Sequence, residues 1–200
     1  MHLHGREETE NEIFIFIQLT KIKNMENQAS SKNVILSHGL IYGFILILAS
    51  VMVYALNMLY DPKGGLIYLV VMILATLVIP IMGIARFKKI NLNFLSWVEA
   101  VKIGIGIVVL GTLLNTGYSF VLSEFVEPEY LDNILQIQRE AFEADERLTK
   151  EQVDQQIEMI KKFQGTPIGA AIGLLFYTFV GFVISAIAGA VMKRSEEDGY

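Results

Sequence analysis

Apolar and polar positions do not alternate evenly along this chain; they separate into four long uncharged runs with polar segments between them. Counted from one Lys, Arg, Asp or Glu to the next, the runs are Asn33 to Tyr60, Gly64 to Ala85, Ile103 to Ser123 and Phe163 to Met192, of 28, 22, 21 and 30 residues. A helix rises about 1.5 Å per residue and needs about 20 predominantly apolar residues to cross the hydrocarbon core of a bilayer. All four runs meet that length. Buried helices of a water-soluble domain usually run shorter and keep a polar stripe. The pattern predicts an all-α polytopic membrane protein with four transmembrane helices, over about 34–59, 66–85, 98–122 and 167–192.

Between spans three and four, about 124–166, the period changes. Leu131, Ile134, Leu135, Gln138 and Phe142 recur at helical spacing, and Val153, Ile157 and Ile160 do so again. This spacing predicts two amphipathic helices, an extramembrane hairpin bending near Leu148. Thr149 with Gln152 three residues on reads as a capping box that starts the second helix, and Gly165 before Pro167 ends it. Asp61-Pro62 and Gly64-Gly65 mark the turn after span one, and Pro80 should kink span two. The basic connector after it mixes Phe87, Ile90, Leu92, Phe94 and Trp97 with polar residues, which suggests an interfacial segment with Trp97 at headgroup depth.

Residues 1–24 fit poorly with the rest of the chain. The apolar stretch Ile13 to Ile17 is too short for a signal-peptide core and lacks a small-residue cleavage site, whereas Met25 opens a polar lead into span one. Residues 1–24 are therefore expected to be a non-native or disordered extension, and 25–200 a single membrane domain.

Composition sharpens the membrane reading: the chain is 53% hydrophobic and 18% charged, against about a quarter charged in soluble domains. The net charge of −5 comes from one place, since Glu124 to Lys162 holds eleven acidic and five basic residues. Such a surface argues against nucleic acid, whose phosphates require Lys and Arg. Without cysteine there is no disulfide, thiolate nucleophile or Cys-type zinc site. Near the span ends, Lys32, Arg86, Lys88, Lys89, Lys193 and Arg194 gather on one face against Lys63, Lys161 and Lys162 on the other. Six against three favours cytoplasmic termini and a hairpin facing outward from a bacterial inner membrane.

Glycine spacing supplies the first candidate positions. Gly165, Gly169 and Gly173 form one set in steps of four, and Gly181, Ser185 and Gly189 a second, about 160° around the helix from the first. Small residues so spaced let helices approach closely in lipid. Span four is expected to be wedged between two neighbours, one of them span one through Gly39 and Gly43; self-dimerisation is the alternative. Among polar groups, Glu99 and Lys102 can pair at the start of span three, either as an interfacial pair or in transport. His38 reads as a hydrogen-bonded anchor rather than a proton relay or metal ligand. Thr112, Asn115 and Ser119 share one face of span three, to bond across helices or line a polar path. Glu140 with Glu143, and Glu151, Asp154 and Glu158, read as a solvated face rather than a cation site. No nucleophile elbow, phosphate loop or zinc-protease motif occurs, and no cofactor is implied.

The stretches "SHGLIYG", "FKKINLNFLSWVEAVKIG" and "FVEPEYL", with the closing glycine-rich span, resemble the domain of unknown function 4199 family of bacterial four-span membrane proteins over about residues 28–192. The resemblance implies a multi-pass membrane protein and supplies no catalytic residue to carry over. Three function classes remain open: a non-catalytic envelope component whose hairpin contacts another protein, a small oligomeric transporter or channel subunit, and, last, a lipid-modifying enzyme.

Overall fold

The computed structural model describes residues 4–194, with the side chains of residues 12–19 and 31–194. Four long helices carry the uncharged runs: α1 (His4–Ala55), α2 (Pro62–Ile90), α3 (Trp97–Val121) and, at the end of the chain, α6 (Pro167–Met192). Each has a segment long and apolar enough to cross a membrane, beginning in α1 at Ser31. Between α3 and α6 lie α4 (Tyr130–Glu143) and α5 (Lys150–Phe163). The expected all-α, four-span architecture with a helical hairpin is what the chain adopts. Helix α1 begins at His4, and Ile13 to Ile17 are exposed on it.

Helix α3 is the hub, packed on α1, α2 and α6, while α2 also meets α1 and α6. The core is drawn from all four spans: Tyr42 and Leu46 from α1, Ile84 and Phe87 from α2, Ile103 and Ile107 from α3, Ala188 from α6. Helix α6 lies at the periphery, with only 11% of its most apolar window buried in the chain. The rest of that surface is left for lipid.

Four boundaries differ from the sequence expectation, each for a local reason. Span one stops at Ala55 rather than near Leu59, because Asn57 takes a left-handed conformation (φ 54°) and the Met58 amide turns back to the Val53 carbonyl. Span two starts earlier, at Pro62, with Asp61 capping the Lys63 amide, and ends later, at Ile90. The basic connector is consequently not an interfacial segment throughout: Phe87 is a helical residue, 1% exposed, one turn beyond Ile84 on the core face. The cations that end the uncharged run belong to the helix itself, and Lys88 Nζ reaches the Met192 carbonyl at 2.8 Å. Span three ends in one wider turn, Leu122–Val126, closed by the Glu127 amide on the Leu122 carbonyl.

The two ends of the bundle are built differently. At one, an antiparallel backbone pairing of Leu95 with Arg194 ties the start of α3 to the end of α6. At the other sits the hairpin. Its second helix begins at the Thr149–Gln152 capping box and buries Val153 and Ile157. Arg139 of α4 bridges to Asp154 of α5, and Arg147 grips Asp145 through two nitrogens at 2.8 and 2.7 Å in the turn. Gly165, at φ 72°, turns the chain into α6, a conformation that side chains with a Cβ resist.

Candidate functional site

The second glycine set of α6 marks its contact with α3. A methyl group at Gly181 would lie 2.9 Å from Val108, and one at Gly189 would lie 2.8 Å from the Ala100 methyl. Ser185, fully buried, donates to the Gly181 carbonyl at 2.6 Å and fills the space above Gly104, where a methyl would come within 2.6 Å of its Cβ. Gly39 and Gly43 also face α3, against Leu110 and Leu114, and not α6 as expected. Gly43 meets Gly111, whose own methyl would lie 2.9 Å from the Gly43 nitrogen. Helix α3 thus brings its own glycines, Gly104 and Gly111, to the seams; those two were not singled out from the sequence.

The first set behaves otherwise. Gly165 lies against Leu131 of the hairpin, and Gly169 against the Phe163 backbone, where 2.7 Å would separate an added methyl from the carbonyl carbon. A methyl at Gly173 would meet nothing within 4 Å. Only the half of α6 that lies beside α3 uses its glycines for helix packing.

Polar groups inside the bundle form a seam across all four spans. Tyr42 of α1 shares a 2.8 Å hydrogen bond with Thr76 of α2, which donates in turn to the Met72 carbonyl at 2.7 Å. Tyr68 donates to Asn115 Oδ1 at 3.3 Å, and Tyr177 of α6 to Met72 Sδ at 3.1 Å. Thr112 lies beside Tyr42, and its hydroxyl is buried next to the phenol. Asn115 is therefore joined to Tyr68, whereas Ser119, one turn on, leaves the seam for the hairpin side. The missed signal was tyrosine within uncharged runs, because a phenol at membrane depth needs a partner.

Glu99 and His38 make their hydrogen bonds within their own helix start and helix turn. Glu99 accepts from the Ser96 backbone and hydroxyl at 2.9 and 2.8 Å, completing a capping box, and pairs with no cation among the described residues. The expected pair with Lys102 does not form because the carboxylate answers the unpaired amides of the helix start. His38 Nδ1 lies 3.1 Å from the Val34 carbonyl and 3.1 Å from Ser37 Oγ, within its own helix turn.

Beneath the hairpin, the end of α3, both hairpin helices and the start of α6 line an open-sided cavity of about 680 Å³. Its walls include Phe120, Leu131, Met159 and Phe163, with hydroxyls from Thr116, Ser119 and Ser123. No lining residue is charged. Tyr130, also in the wall, stacks obliquely on Tyr60 with ring centres 6.4 Å apart, and burial raises its phenol pKa above the ordinary tyrosine value. The volume falls within the roughly 300–1,000 Å³ of small-molecule sites.

The chain belongs to the family described as "Protein of unknown function (DUF4199)", whose model matches residues 37–194. No curated protein and no solved structure matches it.

Proposed function

We propose that this family member is a non-catalytic component of a bacterial inner membrane, with both termini cytoplasmic, that contacts another envelope protein through its hairpin. The observation that carries the reading is the state of α4: it has a strongly amphipathic sequence and buries no residue. Ile134, Ile137 and Phe142 are mostly covered but none is fully buried, while the facing α5 has sunk Val153 and Ile157 inside. Capping and the Arg139–Asp154 bridge brace this face, and the eleven carboxylates between Glu124 and Lys162 suit a basic partner. Photocrosslinking in native membranes from Ile137 and Phe142, read by mass spectrometry, tests the proposal. One discrete foreign protein attached at both positions supports it; adducts only with lipid or with the chain itself refute it.

The polar seam favours a second reading, a small oligomeric transporter or channel subunit. Tyr42, Tyr68, Tyr177 and Asn115 place hydroxyls and an amide among four spans, and Thr112 adds another hydroxyl. Asn115→Leu separates the readings. A transport component loses flux while it still folds, and a hairpin-based partner protein keeps its crosslink.

A further inference from the structure

We propose that the cavity beneath the hairpin holds one acyl chain of a membrane phospholipid, whose phosphate lies outside it by Lys161 and Lys162. The location argues first. The walls come from the last turns of α3 and the first turns of α6, so the cavity lies where two spans leave the hydrocarbon layer. Lipid is the solvent at that depth, and entry requires no passage through water.

The chemistry of the walls argues next. Phe120, Met159 and Phe163 line the concavity yet remain 60%, 61% and 43% exposed, so a large apolar surface is uncovered there. The absence of charge among the lining residues suits a tail and not a headgroup. Hydroxyls of Thr116 and Ser119 offer donors for ester carbonyls at the junction of tail and glycerol.

Charge outside the cavity argues last. Lys161 and Lys162 fall in the last turn of α5, between the lining residues Ile160 and Phe163 in sequence but not themselves in the wall, are exposed, and form no ion pair among the described residues. They are also two of the three basic residues near the span ends that oppose the prevailing charge asymmetry. A bound phosphate gives two ammonium groups a reason to be on that side.

The test uses the full chain in nanodiscs of phosphatidylglycerol carrying a diazirine near the end of one acyl chain, with adducts mapped by mass spectrometry. Adducts should concentrate at Phe120, Met159 and Phe163 over the outward-facing Phe176 and Phe179. Ala170→Phe and Ser119→Phe fill the cavity from opposite walls at exposed positions. Each should lower the cavity adducts severalfold and spare those at Phe176 and Phe179, which also report that the spans remain inserted. Lys161→Gln with Lys162→Gln should lower cavity adducts while Ala170 and Ser119 are intact. Cavity adducts that equal those at Phe176 and Phe179, or that survive both filling variants, overturn the site. Attachment of a second polypeptide to the cavity walls in native membranes in place of lipid also overturns it. Unchanged adducts in the double lysine variant overturn the phosphate assignment.

Discussion

The two halves of α6 carry the same device, small residues in steps of four, and use it in opposite ways. From Gly181 to Gly189 the steps face α3 so closely that added methyl groups would overlap Val108, Ser185's own neighbour Gly104 has no room for a Cβ, and Ala100 touches the end. From Gly165 to Gly173 the steps meet a hairpin turn, a backbone and then open space. The difference lies in what stands opposite. Close packing requires a second helix pressed against the small residues, and α3 meets α6 so closely at one end only, through Val108, Gly104 and Ala100; at the other it widens into the Leu122–Val126 turn and the cavity opens.

The strongest test of this contrast is Gly104→Leu against Gly173→Leu. The first forces a side chain into Ser185 and should cost about 3 kcal/mol, the upper end for overpacking. The second should change stability by less than about 0.5 kcal/mol. Reversible unfolding in mixed detergent micelles gives both values, and equal losses would erase the distinction between the halves. Next in size is Ile157→Ala, which empties one of the two buried positions of the hairpin and should cost about 2–4 kcal/mol locally. Hydrogen exchange should then rise in α4 and α5 and not in α3. Loss of protection throughout α3 would mean that the open end also supports the bundle.

A smaller effect is expected in the polar seam. Tyr42→Phe removes the bond to Thr76 and should cost roughly 0.6–1.7 kcal/mol, the range for hydrogen bonds between membrane helices. The same unfolding assay reads it. The smallest effect concerns pH. Arg147 beside Asp145 holds its carboxyl below the ordinary aspartate value. A depressed carboxylate contributes stability that is full above its unfolded pKa and is lost as pH falls through the lower folded one. Protection of the 145–148 turn should therefore weaken on acidification below about pH 4, relative to α3 amides at the same pH. Solvent screens this exposed pair, so the change stays local. Acid-insensitive protection would remove the pair from the account of the turn.

Much of the fold was legible because single residues announce it. Thr149 with Gln152 marked the start of α5, Gly165 its end, and four uncharged runs the spans. Phe87 was misplaced because charge ended the run at Arg86, while the helix continued through its cations. Glu99 was given to Lys102 by spacing, but the helix start claimed it. The candidate site was far less legible: Asn115 and Ser119 were noticed on one face, and only packing sent one to Tyr68 and the other to the cavity wall.

The sequence by itself determined that the chain is helical, crosses a membrane four times and turns through a capped hairpin, because length, hydropathy and caps are properties of neighbours in the chain. Which glycines are covered, which hydroxyls meet, and that a cavity of about 680 Å³ opens under the hairpin were decided by tertiary structure alone. Each of those depends on a surface supplied from elsewhere in the chain, and a small residue is a contact or a gap only according to what faces it.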